Sequence, residues 1–210
     1  MKYKAEIFDR LQYLYEETKF NDHQLHCVIK FKNRLNREVL EKSICLLLET
    51  VPILSCVYVH HDGDSYWESS GGFAFSEICV IVNNEEDFHL FTASKILEEK
   101  GPQIKFCFYR SENDSLSVIM NHMVCDAAGF KMLLYLFSDI YSKLTDDPAY
   151  MPKDIYHGDR SIRKVIERFG VIDKVKSLLF QNGDNNKNDG YLFPMDQDDE
   201  IQPFILTHEI

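Results

Sequence analysis

Along this chain the spacing of hydrophobic residues switches repeatedly between a period of two and a period near 3.6, which predicts mixed α and β structure rather than a bundle or a sandwich. Phe8 to Glu16 reads as a short helix with Phe8, Leu11 and Tyr15 on one face. Leu25 to Phe31 is rich in β-formers and reads as a strand. Asn36 is placed to cap a helix whose Val39, Leu40, Ile44, Leu47 and Leu48 share a stripe, and Pro52 stops it. Ile53 to His60 follows as a strand, and an Asp62-Gly63 turn folds it back onto Ser65 to Glu68 as a hairpin.

The alternation continues downstream. Ile78 to Val82 is a strand, and Asp87 is expected to cap a helix reaching Lys100 before the Gly101-Pro102 break. Ile104 to Arg110 and Ser115 to Asn121 form two strands joined by Ser111-Glu112-Asn113-Asp114. A long helix from Asp126 to Leu144 then carries Phe130, Leu133, Leu134, Phe137 and Tyr141 as its inward stripe. Beyond Asp147-Pro148, residues 149–160 read as irregular, 161–180 as helical, Gln181 to Gly190 as a polar linker, and Pro203 to Ile210 as a strand.

Composition narrows the function. Thirty-four acidic residues against 23 basic ones give the 210-residue chain a net charge of -11, which repels phosphate backbones and argues against a nucleic-acid partner. The N-terminus Met1-Lys2-Tyr3-Lys4-Ala5-Glu6 has no apolar signal region, and runs such as Ile44 to Leu48 break long before membrane-spanning length. The six cysteines form no Cys-x-x-Cys pair and sit mostly in apolar segments, so they read as buried reduced thiols. Together these features lead us to expect a cytoplasmic protein with neither membrane nor nucleic-acid partner.

The stretch richest in chemistry is Met120-Asn121-His122-Met123-Val124-Cys125-Asp126-Ala127-Ala128-Gly129-Phe130. A strand delivers His122 at its end, and a short loop leads into a helix capped by Asp126. Side chains at such strand ends face crevices, and an imidazole there can act as a general base near cellular pH. The same spacing also fits a satisfied histidine beside an ordinary N-cap aspartate.

At these residues the sequence resembles the coenzyme-A-dependent acyltransferase superfamily, with its His-His-x-x-x-Asp-Gly signature. That group includes chloramphenicol acetyltransferase, alcohol acetyltransferases, hydroxycinnamoyl transferases and peptide-synthetase condensation domains. The preceding elements are similar too, including Pro52-Ile53-Leu54 leading into a strand and a hairpin holding Trp67. The resemblance implies an α/β fold of two-layer α+β type, with a mixed, mostly antiparallel sheet and helices packed on one face. Residues 1–180 would form the N-terminal lobe, and 181–210 a linker and the first strand of a second lobe.

The implied chemistry is direct acyl transfer from a coenzyme A or carrier thioester, as co-substrate, to a small-molecule alcohol or amine, with His122 as base. No permanently bound cofactor or metal is expected. Asn121 replaces the first motif histidine, Ala127 the motif glycine, and Gly129 lies two residues on. Asp126, which in the family pairs with an arginine, finds Ser55 at the matching position, so Arg10 or Arg34 is expected to serve or Asp126 only caps. One lobe alone would be inactive, and its uncovered interface would invite self-association. The strand-like run reaching Ile210 favours part of a longer enzyme over a natural fragment or a homodimer. A non-catalytic binding or assembly module, a condensation-domain half, and a generic α/β interaction protein are the alternatives.

Other candidates are weaker. Adjacent His60 and His61 in a strand point to opposite faces and do not suit one metal ion. Cys125 as a nucleophile has no counterpart in the family. His157 to Arg160 reads as a surface loop, and Asp196 to Glu200 as a solvated connector without a calcium-loop pattern. Gly71-Gly72 is a turn pair and no phosphate loop.

Overall fold

The computed structural model describes residues 1–18, 23–61, 64–157, 167 and 170. The chain divides into two compact units, and all but two of these residues lie in the first, Met1–Asp159. The Asp62-Gly63 turn, the helix expected at 161–180 apart from positions 167 and 170, the linker, the second-lobe strand and the acidic run lie outside the described residues.

Two sheets organise the first unit. The larger has the order β2-β7-β6-β5, built from Gln24–Lys30, Ser115–Asn121, Ile104–Tyr109 and Cys79–Val82. β7 pairs antiparallel with both β2 and β6, and only the β5–β6 pair is parallel. The smaller sheet, β1-β4-β3, joins Lys2–Lys4, Tyr66–Ser69 and Cys56–Val59. The fold is α+β, and the hairpin holding Trp67 is in place.

Alternation along β6 shows what covers the larger sheet. Phe106 meets Phe137 of α5 (Ala127–Asp146) with ring centroids 5.6 Å apart, while Tyr109 meets Phe88 of α4 (Glu85–Thr92) at 5.4 Å. Those residues differ in parity, so α5 and α4 pack on opposite faces. α2 (Arg37–Thr50) packs beside α5. The principal core is therefore the even-numbered face, with Ile104, Phe106, Phe108, Leu116, Val118 and Met120 sealed beneath Leu40, Ile44 and Leu47. Each such side chain contributes roughly 1.5–3 kcal/mol. α4 adds a covered second face, which explains why every residue of β7 is buried.

Local chemistry sets the ends of the helices. Asn36 caps α2, its Oδ1 accepting from the Glu38 and Val39 amides at 2.9 and 3.3 Å. Asn84, rather than Asp87, caps α4 by accepting the Asp87 amide at 2.8 Å. α4 stops at Thr92 instead of Lys100. The following backbone is engaged elsewhere: Ile96 bonds the Gln24 side chain, and the Glu98 carbonyl accepts from the Tyr58 amide and from Gln103 Nε2. At Gly101 the chain turns with φ of 54°, where a Cβ would lie 2.7 Å from the Phe73 ring and 3.0 Å from the Cys56 carbonyl. The strand expected from Ile53 begins only at Cys56, because Pro52–Ser55 forms a 3-10 turn. β1 and a short helix α3 (Phe75–Ile78) escape sequence periodicity because each is so short.

α1 (Ile7–Glu17) sits with its apolar face outward. Ile7, Phe8, Leu11 and Leu14 are exposed, while Asp9 and Tyr13 are buried. Asp9 Oδ2 accepts from Trp67 Nε1 at 2.9 Å and from the Glu6 amide at 3.0 Å, and Tyr13 Oη donates to Glu99 Oε1 at 2.8 Å. The Phe8, Leu11 and Tyr15 stripe seen in the sequence is real, yet polar anchors hold the helix. Among the described residues no helix is long and apolar enough to cross a membrane.

Candidate active site

β7 ends at Asn121, and the two residues at that end diverge. The Asn121 side chain is buried and structural: Nδ2 donates to Gln103 Oε1 at 2.8 Å, and Oδ1 accepts from the Met123 amide at 2.9 Å. Gln103, fully buried, donates through Nε2 to the Cys56 and Glu98 carbonyls at 2.8 and 2.9 Å. This network fixes the loop that presents the next residue. His122 is half-buried, its amide donates to the His23 carbonyl at 2.9 Å, and its ring makes no hydrogen bond to any described residue. An imidazole held through its backbone, with its ring nitrogens uncommitted, can take or give a proton.

Asp126 is exposed. Its Oδ1 accepts from the Gly129 amide at 2.7 Å, so it caps α5. It pairs with no cation among the described residues. Arg34 lies near the opposite end of β7, donating to the Ser111 carbonyl at 3.1 Å, and Arg10 stands beside Tyr58 and Asp9. The Ser55 carbonyl accepts from the Ser70 hydroxyl at 3.3 Å. Gly129 has a steric role: a Cβ there would meet Cys125 Cβ at 2.9 Å and Asp126 Oδ1 at 3.3 Å. A side chain at position 129 would push the capping turn apart. Cys125 is half-buried with its thiol on the Met120 sulfur.

Sequence reasoning missed two residues that shape this site. Gln103 lies 18 positions before Asn121 and His23 lies 99 before His122, so neither belongs to a local motif. The one available signal was strand pairing: the β2–β7 register sets Gln24 opposite Asn121, which brings His23 against His122. Beside His23, burial pushes the Glu98 carboxyl above its ordinary range, and the neighbouring Glu16, Glu99 and Glu17 push it further. Burial also pushes the Cys79 and Cys107 thiols up to about 12, which leaves them inert. Cys45 departs from the expected pattern in being exposed. Among the described residues no cluster of His, Cys, Asp and Glu is arranged to hold a metal ion.

No family model and no curated protein matches this sequence. Solved structures do. A variant of the starter condensation domain of the rhizomide synthetase RzmA superposes with a TM-score of 0.66 at 10% identity, over 89% of this chain and 49% of its own. The chain has the fold of about half of such a condensation domain. The first condensation domain of the CDA synthetase gives a TM-score of 0.64 at 10% identity, covering 88% of this chain and 52% of its own. Polyketide synthase associated protein 5 from Mycobacterium tuberculosis gives 0.58 at 17% identity, covering 80% and 40%. This chain therefore spans about half the length of the condensation domains it matches. Asn121, where the sequence resemblance expects a histidine, serves the scaffold, and Asp126 caps α5 with no cationic partner among the described residues.

Proposed function

We propose that this chain is the lobe of an acyltransferase that supplies the general base, His122. An acceptor hydroxyl or amine gives its proton to the His122 imidazole as its oxygen or nitrogen attacks the thioester carbonyl. The carbon–sulfur bond breaks, the acyl group passes to the acceptor, and the proton returns to the departing thiolate. A positioned base of this kind contributes about 10²–10⁴-fold in rate. The observation carrying this reading is the half-buried His122 ring, uncommitted among the described residues, at the end of the central strand of a condensation-domain lobe. A coenzyme A thioester as donor is supported by the RzmA starter domain, one variant of which is solved in complex with C8-CoA.

A second reading, a non-catalytic binding module on the same scaffold, draws on the exposed Asp126 with no cationic partner among the described residues. The test is thiol release from acyl-coenzyme A in the presence of alcohol and amine acceptors, by the polypeptide that the reading frame encodes. His122→Ala is expected to lower the rate by at least about 10²-fold with the fold intact. Equal rates in the two proteins remove His122 from the chemistry, and no release by the wild type favours the module.

A further inference from the structure

His23 immediately precedes β2 and its side chain is 0% exposed. Its Nδ1 lies 3.4 Å from Glu16 Oε2 on α1, and its Nε2 lies 3.9 Å from Glu98 Oε2 on the segment after α4. A neutral imidazole has one donor nitrogen and one acceptor nitrogen, whereas an ionised carboxylate only accepts. At 3.4 and 3.9 Å these are ion-pair contacts rather than hydrogen bonds, and a ring between two ionised carboxylates is attracted to both only when it carries two protons. Burying several carboxylates together is also costly unless a cation lies among them. Several charged or titratable groups face this cluster: Glu16, Glu17, Arg10 and Tyr13 from α1, Lys95, Glu98 and Glu99 from the segment after α4, Tyr58 from β3, and His122 from the loop after β7. Lys95 reaches Glu16 at 3.4 Å but is half exposed, whereas the His23 ring lies fully buried with a carboxylate near each nitrogen.

We infer that His23 is a positioning residue, held as an imidazolium between Glu16 and Glu98, and that it fixes the carbonyl from which the His122 amide hangs. This rests on the reading of His122 as the base. The clamp joins the end of α1, the start of β2 and the segment 95–100 into one support behind the loop. Its proton favours the ordered loop where the pH is low enough to charge the ring and high enough to keep the two carboxylates ionised. As pH rises and the ring deprotonates, one nitrogen turns its lone pair toward a carboxylate and the clamp opens. A shared proton residing on Glu98 instead of His23 would leave the ring neutral.

The test uses the isotope-labelled chain and no acyl donor, so its failure is distinct from a failure of acyl transfer. Ring-nitrogen chemical shifts are followed from about pH 5 to about pH 9 together with hydrogen exchange of the His122 amide, referred to the Val118 amide within β7. The expected result is a doubly protonated His23 ring at pH 7, and relative protection of the His122 amide falling about tenfold as that ring deprotonates. A Glu16→Gln, Glu98→Gln double variant is expected to lose the imidazolium and the protection at pH 7. His23→Gln is expected to lose the same protection, and if it does not fold, the pH series on the wild type decides. A neutral His23 ring at pH 7, or protection at His122 that does not follow the ring, overturns the inference.

Discussion

Replacing Gln103 by Met keeps length and apolar volume but removes three buried hydrogen bonds: those to the Cys56 and Glu98 carbonyls and that from Asn121 Nδ2. The Glu98 carbonyl still receives the Tyr58 amide at 2.8 Å, so the cost concentrates on Asn121 Nδ2 and the Cys56 carbonyl. At about 1–3 kcal/mol for each buried group stripped of its partner, the expected loss is about 3 kcal/mol. For a unit of this size that corresponds to a fall in Tm of about 6–12 °C. Urea unfolding followed by Trp67 fluorescence measures it cleanly, because Trp67 is the only tryptophan and is fully buried. The loss should also be non-additive. Once Gln103 is gone, Asn121→Ala removes a group already unsatisfied, so the double variant should fall short of the sum by about 1 kcal/mol or more. A loss under about 1 kcal/mol, or strict additivity, refutes the view that this network holds the His122 loop.

Two further outcomes follow from the same geometry. Asp126→Asn is expected to leave stability within about 0.5 kcal/mol and Asp126→Ala to cost about 1 kcal/mol, as an exposed cap requires, and a loss above about 2 kcal/mol for Asn in thermal unfolding would reveal a buried ion pair instead. At pH 8, Cys79 and Cys107 remain protonated, because burial holds both thiols up at about 12 and the reactive thiolate forms only as pH nears that value. Burial, Glu49 and Glu41 push the Cys45 thiol up as well, but it is exposed, so maleimide should modify Cys45 in the folded chain and reach Cys79 and Cys107 only on unfolding. Equal labelling of Cys107 in peptide mass spectrometry would contradict this.

The strand–loop–helix unit around His122 was legible from sequence, since its apolar runs and the Asp126 cap are local signals that agree with the tertiary packing. The stripe Phe130, Leu133 and Phe137 is buried as read. What was not legible depended on partners distant along the chain. The facing of α1 is decided by Trp67, 58 positions from Asp9, and by Glu99, 86 positions from Tyr13. A helix pattern over 93–100 was overridden because Gln24, Tyr58 and Gln103 take the backbone groups that a longer α4 would need. The neighbours of His122 were hidden for the same reason. Gln103 and His23 are ordinary polar residues until strand pairing brings them to the end of β7.

The outward-facing helix also shapes how this protein comes apart. α1 is fastened by the Asp9 and Tyr13 hydrogen bonds, by the Tyr13 ring against Tyr58 and His60, and by Glu16 beside His23 and Lys95, with its leucines already in water. Lifting it away bares the Tyr13 ring and what it covers at Tyr58 and Trp67 but leaves the even-numbered face of the larger sheet sealed, so the opening carries a shallower denaturant slope and a smaller heat-capacity change than global unfolding. Its amides should exchange through a motion that urea scarcely accelerates, while the sheet behind responds steeply. An opening of this helix is thus one that denaturants report less well than global unfolding, and it parts Glu16 from His23.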